Sequence, residues 1–272
     1  MPAGVTFTEI ATGIAIPQTC ALSTGGDVYC WTSVNVGSWT TTPSKIGNPD
    51  EPNLKFSTLA EGGACALDTT GDAYCWGRSD YGQLGNGSMS SLIQFFAVPV
   101  AMPAGVHFRQ ISSGLHHVCA TTTTQQAVYC WGRNTYGQLG NGTTTDSNVP
   151  VAVTVPSTLG APSWDAESID LGVAYTCVTS VHGTYCWGAN DVGQLGNGTN
   201  TDSSIPVLVQ VPNAAGTTTP EIFGQITAGS VHTCAVAQSE WAFCWSRNAY
   251  GMLGDGTTTD SPLIPVRVVQ PW

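Results

Sequence analysis

Ten cysteines fall in five couples along this chain, Cys20/Cys30, Cys65/Cys75, Cys119/Cys130, Cys177/Cys186 and Cys234/Cys244, and each couple marks one copy of a longer repeat. The second cysteine of a couple recurs at steps of 45 to 58 residues, so five units fill all 272 residues, at about 1–47, 48–101, 102–156, 157–212 and 213–272. Around that cysteine the text returns as Tyr74-Cys75-Trp76-Gly77, Tyr129-Cys130-Trp131-Gly132 and Tyr185-Cys186-Trp187-Gly188, with Tyr29-Cys30-Trp31 and Phe243-Cys244-Trp245 as variants. A glycine loop follows, Gly82-Gln83-Leu84-Gly85-Asn86-Gly87, repeated from Gly137, from Gly193 and, with Met252 in place of glutamine, from Gly251. The first unit has no such loop after Trp31.

Within a unit the short apolar segments alternate with period two, as at Val106, Phe108 and Ile111, at Val118 and Ala120, and at Val149, Val151 and Val153. Glycine and proline punctuate the text about every ten residues, and no window carries a capped helix. The chain therefore reads as all-β, with four strands per unit. A small sheet cannot bury both faces alone, so units of this length point to a β-propeller of about five four-stranded blades. Met1-Pro2-Ala3-Gly4-Val5 repeats as Met102-Pro103-Ala104-Gly105-Val106, and Pro271 stands after Pro265 as Pro156 stands after Pro150. The expectation is a whole number of units, as in a closed ring or a section of a longer array.

Each cysteine couple flanks a hairpin whose tip absorbs the variable spacing, which places the two residues opposite one another on paired strands. Opposed Cα atoms in an antiparallel pair lie within the range a disulfide accepts. Buried free thiols and metal ligation are the alternatives; structural zinc sites use closely spaced pairs such as C-x2-C, and none occurs here. Five disulfides imply a secreted, periplasmic or cell-surface protein.

Charge narrows the partners. Seven Lys and Arg against 18 Asp and Glu leave a net charge of −11. Nucleic acid and anionic membrane surfaces both require clustered basic residues, so neither is an expected partner. No apolar run reaches the roughly 18 residues a membrane helix needs.

The side chains that could carry function are few. His117 and His232 hold one repeat position, two residues before a cysteine, where the other units have Gln18, Gly63 and Tyr175; this suits a structural hydrogen-bonding role. No Ser-His-Asp set or carboxylate pair stands out, so no catalytic residue and no cofactor is assigned. The loops Asn141 to Asp146, Asn197 to Asp202 and Asp255 to Asp260 each offer two short oxygen-bearing side chains, fewer than calcium demands, and read as turns. Asn86, Asn141 and Asn197 match the glycosylation pattern as a by-product of the repeat. Arg78, Arg133 and Arg247 recur three residues before Tyr81, Tyr136 and Tyr250. Arg with Tyr suits a partner-binding surface, or else the arginine covers an aromatic ring of its own blade. The segments Gly47 to Lys55, Ser157 to Ser168 and Asn213 to Gly224 break the repeat, and Trp164 in the second is the candidate exposed aromatic.

The string Tyr-Cys-Trp-Gly-x-Asn-x-Tyr-Gly-Gln-Leu-Gly-Asn-Gly-Thr, preceded by Gly-x-x-His-x-Cys-Ala, resembles the regulator-of-chromosome-condensation repeat family; it stands here at Gly114 to Thr143 and recurs from Gly172 and Gly229. The resemblance implies a β-propeller, usually of seven blades, and its cysteine-paired form is similar to the extracytoplasmic bacterial members. The functions it implies range from nucleotide exchange with chromatin binding to β-lactamase inhibition and scaffolding, and the charge of −11 speaks against chromatin. The expectation is a non-catalytic module that binds an unidentified protein partner through loops on one face. A subunit of a surface assembly and a glycan-binding propeller are the alternatives.

Overall fold

The structure is a computed structural model. It describes residues 4–13, 18–31, 34–35, 38–39, 42–123, 127–155, 164–212, 218–220, 222–260 and 263–269. The terminal repeat texts at Met1 to Ala3, Pro156 and Pro271, and the irregular stretches 157–163 and 213–217, lie outside the described residues.

Five four-stranded antiparallel sheets follow one another in sequence, one per repeat unit, and each is called a blade below. Blade 1 comprises β1 (Phe7–Thr12), β2 (Thr19–Ser23), β3 (Val28–Trp31) and β6 (Ser44–Ile46), with the ribbon β4 (Val34–Asn35) and β5 (Ser38–Trp39) between its last two strands. Blade 2 comprises β7 (Phe56–Leu59), β8 (Cys65–Asp68), β9 (Ala73–Ser79) and β10 (Ser90–Pro99); blade 3 comprises β11 (Phe108–Ser113), β12 (His117–Thr122), β13 (Val128–Gly132) and β14 (Ser147–Ala152). Blade 4 comprises β15 (Ala166–Leu171), β16 (Tyr175–Ser180), β17 (Gly183–Gly188) and β18 (Ser203–Leu208), followed by a small ribbon of β19 (Gln210–Pro212) and β20 (Thr218–Pro220). Blade 5 comprises β21 (Phe223–Ala228), β22 (His232–Ala237), β23 (Ala242–Ser246) and β24 (Val266–Arg267).

The alternation read from sequence sets the registers. Cys20 opposes Cys30, Cys65 opposes Cys75, Cys177 opposes Cys186 and Cys234 opposes Cys244, each pair on the second and third strands of its blade. All five couples, including Cys119–Cys130, are disulfides with Cα atoms 4.0 to 4.1 Å apart. Free thiols and metal ligation are thereby set aside. In every blade the first strand slips register near its start, at Phe7/Glu9, Phe56/Thr58, Phe108/Gln110, Ala166/Ser168 and Phe223/Gln225. Such a bulge bends the strand and increases its twist.

The chain divides into two compact units, one of Met1–Gln125, Cys130–Arg133 and Asp146–Val151, the other of Gln126–Tyr129, Asn134–Thr145 and Ala152–Trp272. In the first, β1 and β2 pack on β7, and β11 packs on β7 and β8; in the second, β15 and β16 pack on β21. Each core is a series of aromatic layers. An aromatic at or beside the first strand lies on the ring that flanks the second cysteine: Phe7 on Tyr29, Phe56 on Trp76, Phe108 on Trp131 and Phe223 on Trp245, with centroids 5.9 to 6.4 Å apart.

Trp164 is the blade 4 member of that series, which corrects its reading as an exposed aromatic. It is 0% exposed, 5.8 Å from Trp187 and edge-on to Tyr185 at 5.7 Å. Blade 4 has the small Ala166 opposite Ser180, where blade 3 has Phe108 opposite Thr122 and blade 5 has Phe223 opposite Ala237. The Trp164 indole reaches in from two residues earlier and fills the layer.

Candidate functional site

The two most repeated motifs, Cys-Trp-Gly and Gly-Gln-Leu-Gly, bond to each other across neighbouring blades. Trp131 Nε1 donates to the Gln83 carbonyl at 2.9 Å, Trp187 Nε1 to the Gln138 carbonyl at 2.9 Å, and Trp245 Nε1 to the Gln194 carbonyl at 2.8 Å. The loop's second glycine makes room for this latch. Gly85, Gly140 and Gly196 have φ of 65°, 66° and 61°, and a Cβ on any of them would stand 2.6 to 2.8 Å from the same indole nitrogen. Blade 1 carries no Gly-Gln-Leu-Gly text, and the Trp76 indole nitrogen, which the latch would pair with it, is buried without a hydrogen-bond partner among the described residues.

A second repeated device was not legible from the motif. The asparagine two residues after Trp-Gly is fully buried at Asn134 and Asn190, and its counterpart Asn248 follows Trp245-Ser246. Asn190 Nδ2 faces the Thr199 carbonyl at 2.9 Å, the Thr201 carbonyl at 3.0 Å, Thr199 Oγ1 at 3.2 Å and Asn197 Oδ1 at 3.3 Å, while Asn190 Oδ1 accepts the Leu195 N–H at 2.9 Å. Asn134 and Asn248 make the same sets. The threonine-loop oxygens weighed as calcium ligands thus converge on an amide nitrogen. Among the described residues there is no group of three or more His, Cys, Asp or Glu placed to hold a metal ion. Blade 2 has Ser79 in place of the asparagine; there β9 runs on through Ser79 and the loop gives way to the ten-residue β10.

Three of the Arg and Tyr candidates come together in the first unit. The Arg133 guanidinium lies 4.7 Å over the Tyr81 ring, and Tyr81 stands 5.0 Å from the His116 ring. Arg133 therefore covers the tyrosine of the preceding blade, not a ring of its own blade. Arg78 is exposed and paired through Nε with Asp80 at 2.8 Å. Burial holds the His116 imidazole below its ordinary pKa of 6.5, and the charges of Arg133 and Arg78 push the same way against Asp80. Of these, Arg78 and His116 line a cleft of about 90 Å³, together with Gln18, Trp76, Gln83 and Ser113.

The remaining candidates are placed differently. Tyr136 borders a cleft of about 260 Å³ in the second unit, with Tyr175, Asp191 and Asp202 in its lining. The arginine position is Ala189 there, so this cleft carries acid where the first carries base. Arg247 is exposed and Tyr250 is 89% exposed. In the histidine column, His117 is fully buried, the His232 ring stands against Gly229, and Tyr175, which replaces histidine, donates its hydroxyl to the His232 carbonyl at 2.7 Å.

Comparison with known proteins accounts for the repeat. The regulator of chromosome condensation (RCC1) repeat matches at residues 70–121, 126–178 and 182–236. The ultraviolet-B receptor UVR8 of Arabidopsis thaliana is 33% identical over 190 residues, which are 70% of this chain and 40% of the receptor. The probable E3 ubiquitin-protein ligase HERC4 of Homo sapiens is 30% identical over 151 residues, 55% of this chain and 13% of the ligase. This chain thus spans less than half of either relative. Among solved structures, Prp20p from Saccharomyces cerevisiae aligns with a TM-score of 0.77 at 23% identity, over 98% of this chain and 64% of that one. Human WBSCR16 aligns with a TM-score of 0.71 at 22% identity, over 86% and 58%. The fold is that of the RCC1-type β-propeller, and the chain belongs to the regulator of chromosome condensation repeat family.

Proposed function

We propose that this chain is a non-catalytic protein-binding module that works outside the cytosol and meets its partner around Arg78, Tyr81 and Arg133. The observation that carries the reading is the assembly of these residues and His116 into one cationic, aromatic surface beside a cleft, within a chain whose net charge is −11. Arg and Tyr are enriched at the energetic centres of protein interfaces, where a planar cation and a rigid ring desolvate at little entropic cost. Relatives give precedent: the Prp20p structure is described together with binding to Gsp1p and histones, and a second yeast structure holds it with Kap60. The extracytoplasmic setting is supported by the five disulfides, which a reducing cytosol would not sustain.

The test is retention of one protein at fixed stoichiometry by the immobilised chain, lost in the Arg133→Ala/Tyr81→Ala double variant. No retention, or equal retention by both, overturns the surface. Alkylation of freshly disrupted source cells tests the setting, since ten reactive thiols would place the chain in a reducing compartment.

One observation favours self-assembly as a second reading. β10 is the outer strand of its sheet and exposes Leu92 (72%), Phe95 (39%) and Phe96 (41%). A long apolar edge is a template for pairing with another chain. Sedimentation that depends on concentration in the native chain and not in Phe96→Lys would support it.

A further inference from the structure

Blades 1 and 5 present the two halves of a junction that the chain builds between its own blades. Where blades meet, the first cysteine of one blade shares a core cluster with the first-strand aliphatic of the next: Cys20 and Leu22 with Leu59, and Cys177 with Ile226. That aliphatic opposes the residue after the first cysteine in every blade, as Ile10, Leu59, Ile111, Ile169 and Ile226. Four of the five are 4 to 6% exposed, and Ile10 is 70% exposed. The covering half breaks the same way in blade 5. Two residues after the first cysteine, Leu22, Leu67, Thr121 and Thr179 are 0 to 3% exposed, whereas Val236 is 42% exposed. Cys234 itself is only partly covered, where Cys20, Cys65, Cys119 and Cys177 are buried. The glycine loop of blade 5 is open as well. A Cβ on Gly82 would stand 2.6 Å from Asn148, and one on Gly193 2.8 Å from Leu263, each in the following repeat unit; on Gly251, whose φ is 72°, the nearest atom among the described residues is the Thr257 carbonyl of its own unit at 3.7 Å.

We infer that blade 1 of one copy docks on blade 5 of another, with Ile10 covered by Cys234 and Val236, so that copies of this chain associate head to tail. The occupant follows from complementarity. Each bare half is a surface that its counterpart covers elsewhere in the same chain, and a second copy supplies both counterparts. Ile10 against Val236 is an apolar contact, so it forms by burial against the repulsion of two chains that each carry −11, and salt that screens the repulsion tightens it. Because the two faces differ, the interface is heterologous and propagates until it closes a ring of copies or runs on as a filament. It uses neither the surface of Arg78, Tyr81 and Arg133 nor the β10 edge, and so stands apart from both readings above.

The test is sedimentation velocity of the fully oxidised chain over a dilution series, beside Ile10→Glu, Val236→Glu and an equal mixture of the two. Both positions are exposed in a single copy, so both variants should melt with the native chain; Ile10→Gln and Val236→Gln replace them if one does not fold. The expected result is association beyond a dimer in the native chain, tightened by salt and weakened about tenfold or more in each variant alone. The mixture should recover a dimer and nothing larger, because Ile10→Glu keeps an intact blade 5 face and Val236→Glu an intact blade 1 face. A native chain that stays monomeric, association that salt weakens, association that either substitution leaves unchanged, or a mixture that behaves as its separate components overturns the junction. Association lost in Phe96→Lys and kept in Ile10→Glu also overturns it and assigns self-assembly to the β10 edge.

Discussion

Replacing Asn190 tests how the threonine loops are held. The Asn190 amide has two protons to share among four facing oxygens, and the two shortest contacts are the carbonyls of Thr199 and Thr201 at 2.9 and 3.0 Å. In Asn190→Ala those carbonyls lie in an exposed loop and can turn to water, so each lost bond costs about 1 kcal/mol. The Leu195 N–H is different. It is buried and bonded to Asn190 Oδ1, so its loss carries a desolvation penalty of roughly 1–3 kcal/mol. The sum is about 3 to 5 kcal/mol, or about 6–20 °C in melting temperature at roughly 2–4 °C per kcal/mol for a chain of this size.

Asn190→Asp sharpens the test. It removes both donors and sets a carboxylate against Thr199 Oγ1, Asn197 Oδ1 and two carbonyls, so without metal it should be less stable than the alanine variant. The same oxygens plus a carboxylate approach what calcium accepts, and free calcium at a hundred times its dissociation constant would return about 2.7 kcal/mol. The assay is calorimetric melting with disulfides intact, with and without millimolar calcium, paired with hydrogen exchange at the Leu195 amide. An alanine variant within about 1 kcal/mol of the native chain, or calcium raising the native and aspartate chains equally, would refute the amide as the centre of the loop.

Three further outcomes follow from the same geometry. Trp187→Phe should destabilise more than Trp76→Phe by about 1–2 kcal/mol in denaturant titrations, because only Trp187 surrenders a hydrogen bond, and equal losses would count against the latch. Removing one staple as Cys177→Ala/Cys186→Ala should cost about 3 kcal/mol in the chain-entropy account of its short loop, measured by guanidinium unfolding of the oxidised protein. His116 and His232 are both held below their ordinary pKa of 6.5, foremost by burial, so the unfolded chain binds protons that the folded chain refuses: stability should be full above that pH and fall as the solution is acidified through it, and a melting temperature flat from pH 7.5 to 5 in the His116→Gln/His232→Gln variant alone would trace the slope to these rings.

What could be read in advance depended on distance along the chain. The cysteine couples were legible as facing pairs because a separation of nine to eleven residues leaves room for only one turn, and the registers of Cys20 with Cys30 and Cys177 with Cys186 follow from that. Trp164 was misread for an equally local reason: the text before it departs from the repeat, so nothing nearby showed that Ala166 leaves a gap for an indole. Asn134, Asn190 and Asn248 carry no signal in the motif, because the oxygens they gather lie seven to eleven residues downstream. The pairing of Arg133 with Tyr81 spans two blades, and only the packed blades bring it about. The motif Gly-Gln-Leu-Gly is visible three times, and once more with Met252 for glutamine; its task, accepting the next tryptophan, is not.

These cases share one logic, in which the repeated tryptophan, glutamine and asparagine are each held by a bond to another blade or loop. The tryptophan and the glutamine carbonyl latch consecutive blades, and the asparagine two residues after Trp-Gly closes its own loop. Immediately before that asparagine, or before Ser79 in the second unit, stands a residue that makes neither bond: Arg78, Arg133, Ala189 and Arg247 in units two to five. Arg78 puts base in the lining of the first unit's cleft, whereas alanine with Asp191 and Asp202 leaves the second unit's cleft acidic. A scaffold maintained by cross-blade bonds can therefore change what each cleft attracts by substituting a single column of the repeat, at little expense in stability. Exchanging Arg133 and Ala189 in one variant should redistribute charge between the two clefts and leave the melting temperature within about 2 °C.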